Sequence, residues 1–176
     1  MIAPSFCSYS DIDGSRLQLN QMLVQDVVTG CTMMVNHALA SLADVEIPDD
    51  AVVMHDWWLG ILAAACGTAG FLNEPTIDYR QHGTNSVGAQ KVLSVRYLWK
   101  RLSSRKKMRD MLTDAAVQAE VFLRCYDHLL GTKERNLLQA VASTKDKGVL
   151  GRDMIYLRYH LLKSGMIRII PQLMGL

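Results

Sequence analysis

Apolar residues in the first half of the chain come in short runs separated by turn-forming residues. Met22-Leu23-Val24 leads into Val27-Val28-Thr29-Gly30-Cys31-Thr32-Met33-Met34-Val35, a β-type run broken by one glycine, which predicts a strand. Glycine at position 30 leaves space for another backbone or a ligand to come close. Asn36 is a suitable N-cap and predicts a helix from His37 to Ala43. After the loop Ile47-Pro48-Asp49-Asp50, the residues from Asp56 to Cys66 are apolar nearly all round, which predicts a buried helix with Asp56 at its start. Gly67, Gly70 and Pro75 end that pattern. Thr76-Ile77-Asp78-Tyr79 then alternates like a short strand and delivers Arg80 to Asn85 into a loop containing Gly83. The opening residues, Met1 to Asn20, are mixed in character and predict loop, with a turn at Asp11-Ile12-Asp13-Gly14.

Beyond Ser94 the period changes. Met111, Leu112, Ala115, Ala119, Phe122, Leu123, Tyr126, Leu129 and Leu130 recur at spacings of three and four, a helix with Gly131 as the residue just past its end. A shorter helix follows Thr132, then a polar loop from Ser143 to Gly148. Ile155, Tyr159, Leu162, Met166, Ile169, Ile170 and Leu173 share one face of a last helix, and Leu157 and Leu161 lie off that stripe. The pattern predicts an α+β chain: residues 1–90 with a few short strands, and residues 91–176 forming a mainly helical region.

Charge sharpens this division. Through Gln90 there are 2 Lys and Arg against 10 Asp and Glu, and from Lys91 onward 17 against 7, so a net +2 conceals an acidic half and a basic half. Lys91, Arg96, Lys100, Arg101, Arg105, Lys106, Lys107 and Arg109 form a run without an acidic residue, interleaved with Tyr97, Leu98, Trp99 and Leu102. A solvated basic face is the ordinary reading of such a run. An interfacial segment on anionic lipid is the sharper one, because Trp and Tyr favour the headgroup region. Nucleic acid ranks last, since no recognised binding motif accompanies the charge.

The 176 residues, 49% of them hydrophobic, suffice for a sizeable core. Cys7, Cys31, Cys66 and Cys125 are widely spaced and form no C-x-x-C pair, which fits a reducing compartment. The N-terminus shows no basic segment followed by an apolar core, so no secretory signal is expected. The longest uncharged stretch, Trp57 to Asn73, contains three glycines and is shorter than the roughly 20 apolar residues of a membrane-spanning helix.

Candidate chemistry gathers around His55-Asp56-Trp57-Trp58 and Tyr79-Arg80-Gln81-His82-Gly83-Thr84-Asn85. A carboxylate fixed at the start of an apolar helix is held rigidly and partly desolvated, as a general base for a hydroxyl must be. The plainer role for Asp56 is helix capping, which on spacing alone is the commoner one. Trp57 and Trp58 suit either a core or the C–H face of a pyranose, and they stand about 100° apart on a helix, so at most one would face a site. His82, in a loop beside Gly83, Thr84 and Asn85, is placed to meet a metal or a diphosphate, although a lone histidine is more often structural. Cys31, His37, His55 and His82 would be the residues of a zinc site, but their spacing matches no recognised ligand pattern.

The run Val27 to Asn36, the tetrapeptide His55 to Trp58 and the segment Tyr79 to Asn85, in this order, resemble the acceptor-side half of a family 2 glycosyltransferase, closest to the rhamnosyltransferase-like members that build bacterial surface polysaccharides. The resemblance spans roughly Val24 to Ala89 and implies the C-terminal part of a GT-A type fold. It implies that Asp56 is the base that removes the acceptor proton in an inverting transfer. The family commonly shows Glu-Asp here, so His55 departs from the pattern and its role stays open. Gly30 and Thr32 match the acceptor-side strand edge, and His55, Trp57, Trp58, Arg80 and Gln81 fall among substrate-binding positions. His82 would assist a Mg²⁺ or Mn²⁺ ion or the donor diphosphate. A nucleotide-activated deoxysugar donor, such as a rhamnose donor, and a glycan or lipid-linked acceptor are the partners the resemblance implies, at the cytoplasmic face of the membrane.

The family begins with a nucleotide-binding βαβ half bearing a DxD-type metal motif. Asp11-Ile12-Asp13 has the letters of that motif but neither the preceding strand nor the order. The expectation is a C-terminal fragment, inactive alone. Two other classes stand beside it: a non-catalytic sugar- or partner-binding module, and a basic helical adaptor for membrane or nucleic acid.

Overall fold

The computed structural model describes residues 5–48, 52–78 and 105–174, and every regular element among them is helical. The elements are α1 (Phe6–Ser10), α2 (Leu19–Met22), a 3₁₀ turn (Gly30–Thr32), α3 (His37–Ala43), α4 (His55–Cys66), α5 (Arg105–Tyr126), α6 (Thr132–Ala142), α7 (Val149–Arg158) and α8 (Met166–Met174). Short 3₁₀ turns at Asp127–Leu129 and Ser143–Asp146 close α5 and α6. The expected α+β class is therefore corrected: no strand occurs among the described residues.

The reason is visible at residues 27–35. The backbone is extended on both sides, at Thr29 (φ −127°, ψ 115°) and Met33 (φ −84°, ψ 136°), but Gly30–Thr32 coils into a 3₁₀ turn between them. A β-type run needs a neighbouring strand to satisfy its amides. Here the N-terminal end of α4 takes that place. Thr76 to Asp78 likewise form no strand, and Tyr79 lies outside the described residues.

α4 crosses the core. Trp57, Trp58, Ile61 and Leu62 are buried along it, and α2 and α3 pack against it. Gly60 is the notch for the preceding segment: a Cβ there would lie 2.3 Å from Met22 Cε and 2.9 Å from Val28 Cγ2. On α5, Leu112, Ala115, Ala119, Phe122 and Tyr126 are buried, in the spacing the sequence predicts, and the small alanines let neighbouring elements approach closely. Trp58, Phe122 and Tyr126 form an aromatic cluster with ring centroids 4.8 to 6.2 Å apart. Each such pair adds about 0.5–1.5 kcal/mol beyond its area burial. One core thus draws residues from both sides of position 90, a position outside the described residues.

The Asn36 cap forms as expected, accepting from the Leu39 amide at 2.9 Å. Three other expectations are corrected. The opening residues contain α1, capped by Ser5, and the start of α2. Gly131 begins α6 with φ −68°, because α5 has already ended at Tyr126. The single last helix is two. His160 takes the left-handed conformation (φ 53°), and the Leu161 amide reaches back to the Tyr156 carbonyl at 2.8 Å, which closes α7 before α8 begins.

Buried polar side chains tie the loop between α7 and α8 to the N-terminal segments. Gln25 Nε2 donates to Ser164 Oγ at 3.1 Å, and the Ser164 amide donates back to Gln25 Oε1 at 2.7 Å. Arg168 donates to the carbonyls of Ser10 and Asp11. Gln172 closes its own loop, accepting from the Lys163 amide at 3.0 Å and donating to the Leu161 carbonyl at 2.8 Å.

Candidate functional site

Asp56 lies in the first turn of α4, whose N-cap residue, Met54, offers no side-chain acceptor. The carboxylate is 5% exposed. Its Oδ2 accepts from the Gly30 amide at 2.9 Å and its Oδ1 from the Trp57 amide at 3.0 Å. It therefore acts at once as a partial cap of its own helix and as the anchor of the 3₁₀ turn, 26 residues back in the chain. Each oxygen keeps a second lone pair for a further donor.

Gly30 lies close to both residues that open α4. A Cβ at position 30 would stand 2.9 Å from His55 Nε2 and 3.4 Å from Asp56 Oδ2. His55 itself is exposed, as are Cys31 and Thr32, while Thr32 Oγ1 turns inward to donate to the Thr29 carbonyl at 3.0 Å. The turn thus forms an exposed rim, Cys31 and Thr32, beside a buried carboxylate. Exposed apolar side chains continue the chain on either side: Met34 at 97% and Val35 at 43% after the turn, Val53 at 46% before α4.

Asp26 is the member of this group that sequence reasoning missed. Its carboxyl accepts from the Val28 amide at 2.9 Å, forming a tight local turn that starts the run toward Gly30. Burial pushes its pKa up to about 7, and the neighbouring Asp56 carboxylate pushes in the same direction, against the Val28 amide and His55. The one signal in the sequence is an acidic residue that, with Gln25, separates two apolar runs.

The structure thus brings Gly30, His55 and Asp56 together, with Thr32 two residues further along the same 3₁₀ turn. It sends Trp57 and Trp58 elsewhere: both rings are buried, Trp57 with its Nε1 donating to the Met22 carbonyl, Trp58 against Phe122 and Tyr126. Arg80, Gln81 and His82 lie outside the described residues. Among the described residues no three of His, Cys, Asp and Glu are grouped as metal ligands, so Cys31, His37 and His55 do not form such a set with one another. A cleft of about 530 Å³, lined by Leu17, Ala64, Thr68 and Phe71 among others, lies at the other end of α4 and includes none of the Asp56 group. No helix among the described residues is long and apolar enough to cross a membrane.

Comparison with protein-family models, with curated proteins and with solved structures finds no match to this chain.

Proposed function

We propose that this chain supplies the acceptor side of an inverting glycosyltransferase, with Asp56 as the base that takes the proton of the attacking sugar hydroxyl. The observation that carries the reading is the Asp56–Gly30 contact. It joins two of the three segments on which the sequence resemblance rests and sets a buried carboxylate against a turn whose residues Cys31 and Thr32 are exposed and whose position 30 carries no side chain. A base in such a place is rigid, needs no reorganisation, and has a lone pair left for the incoming hydroxyl. Thr32 and His55 on the rim are suited to hydrogen-bond the same sugar. The donor would be a nucleotide-activated sugar such as a rhamnose donor, used with Mg²⁺ or Mn²⁺, and the nucleotide-binding part would come from outside this chain. The isolated 176-residue chain would then bind acceptor without turning it over.

A second reading has its own support. Both Asp56 oxygens already accept backbone amides and the group is 5% exposed, which suits a structural carboxylate in a non-catalytic sugar-binding module.

The acceptor is proposed to be met at the cytoplasmic face of a membrane. Leu150, Met154 and Leu157 of α7, at spacings of four and three, are 83%, 69% and 52% exposed, and Lys147 and Arg158 beside them are exposed cations. Such a face suits an anionic interface.

The test is amide chemical-shift mapping of the isolated chain with rhamnosides and with unrelated monosaccharides. Selective shifts at Gly30, Cys31, Thr32 and His55 are expected. Absence of any sugar-dependent shift around the 3₁₀ turn would refute an acceptor site there.

A further inference from the structure

The far end of α4 is built differently from the end that carries Asp56. The helix stops at Gly67, whose amide donates to the Ala63 carbonyl at 3.0 Å, and no basic side chain stands in its last turn. Among the described residues nothing donates to the carbonyls of Ala64, Ala65 and Cys66. These oxygens form the negative end of the helix and are open to a ligand that donates hydrogen bonds. The cleft of about 530 Å³ lies beside them, with Ala64 and Gly67 in its wall, and its volume falls within the range of about 300–1,000 Å³ usual for ligand pockets.

Phe71 forms another wall. Its ring leans on buried Gly14, where a Cβ would lie 2.5 to 3.0 Å from three ring atoms, yet Phe71 remains 43% exposed. Leu17 adds to the apolar lining, and Gln18 brings an amide with donor and acceptor atoms. The Thr68 hydroxyl makes no hydrogen bond among the described residues. None of the described residues that line the cleft is charged.

We infer that this cleft binds a neutral sugar ring. An anion would find no cation there and would face the negative end of α4. A cation would find the ring and the carbonyls, but no carboxylate to neutralise it. A wholly apolar ligand would take the carbonyls out of water without giving them a donor. A pyranose meets all three conditions. Its C–H face carries the slight positive charge that suits the negative face of an aromatic ring, and its hydroxyls both donate to carbonyls and accept from Thr68 and Gln18. The twelve residues of α4 span about 18 Å, so this is a second sugar position, apart from Asp56. The inference goes beyond the acceptor-site reading and does not rest on it.

The test is an amide chemical-shift titration of the full chain with methyl glycosides of glucose, mannose and rhamnose, and with choline and inorganic phosphate as charged probes. Saturable shifts at Gly67, Thr68, Ala69 and Phe71 are expected with a neutral glycoside and not with either charged probe. Phe71→Ala should weaken that binding by about three- to tenfold, and Phe71→Trp should retain it. Thr68→Ala, at an exposed position, should weaken binding without disturbing the fold, which keeps the test decisive if Phe71→Ala unfolds. No glycoside-dependent shift in the cleft, larger shifts with choline or phosphate, or unchanged affinity in the folded variants would overturn the inference. Shifts confined to Gly30, Cys31, Thr32 and His55 would likewise overturn it while leaving the acceptor reading in place. Shifts confined to the cleft would support it and remove the acceptor reading instead.

Discussion

The Gly30 amide donates to Asp56 Oδ2 at 2.9 Å, and this one contact fixes a turn of the N-terminal segment onto the first turn of α4. A side chain at position 30 would meet His55 first, at 2.9 Å from Nε2, and Asp56 second. Since His55 is exposed, its ring can swing away, whereas the buried carboxylate cannot.

Gly30→Ala should therefore fold, with a loss of about 1 kcal/mol from the crowding, and should weaken sugar binding more than it weakens the fold. Thermal unfolding and sugar titration of the same sample check the two effects. Unchanged sugar binding would show that the rim does not need the open space.

Gly60→Ala should behave differently. The new methyl would come within 2.3 Å of Met22 Cε and 2.9 Å of Val28 Cγ2, and Met22 is fully buried. The helix-propensity gain of about 1 kcal/mol for replacing a mid-helix glycine offsets part of an overpacking cost of about 1–3 kcal/mol. Net destabilisation of about 1 kcal/mol is expected in denaturant unfolding. A more stable variant would mean that the segment from Met22 to Val28 does not seat in the notch.

The pH dependence of stability follows from Asp26. Its pKa in the folded chain, about 7, lies above its ordinary 3.8, so the folded state binds the proton more tightly than the unfolded state. The contribution is complete below about pH 4 and is lost as pH rises through about 7. Asp26→Asn should remove that fall and leave the variant more stable than the parent at pH 8, by roughly 2 kcal/mol once partial exposure is allowed for. Parallel unfolding curves at pH 5 and pH 8 test the sign. A parent that is as stable relative to the variant at pH 8 as at pH 5 would contradict it.

Much of the helical framework was legible from periodicity. The Asn36 cap, the buried helix from Asp56 and the stripe Leu112, Ala115, Ala119, Phe122, Tyr126 all follow from local rules, and packing agrees with them. The strand over 27–35 was not legible as a turn, because β-propensity describes a half-buried extended surface and does not say whether a partner strand exists. Met22, Val28 and Gly30 find their partners on α4, through contacts remote in sequence. The division of the last helix rests on His160 at φ 53°, where sequence patterning expects glycine or asparagine. Asp56 and Gly30 each stand out in the sequence, and they meet in space. Asp26 does not stand out in the sequence, because what sets it apart is its burial, which spacing does not reveal.

Association with lipid should depend on charge and on α7. Co-sedimentation with anionic and neutral vesicles, at low and high salt, is expected to show salt-sensitive binding to anionic vesicles alone, weakened in a variant carrying Leu150→Ser and Met154→Ser, both exposed. Binding that is indifferent to salt, to lipid charge and to these substitutions would remove the membrane proposal.

The most direct test of the account is the Asp56→Asn substitution in a protein that joins this chain to a nucleotide-sugar-binding half, with transfer and donor affinity measured on the same preparation. Loss of the base should lower the transfer rate on the order of 10²-fold or more while donor affinity stays within about twofold. Near-parental transfer by Asp56→Asn would contradict the account and leave Asp56 as the structural anchor of Gly30.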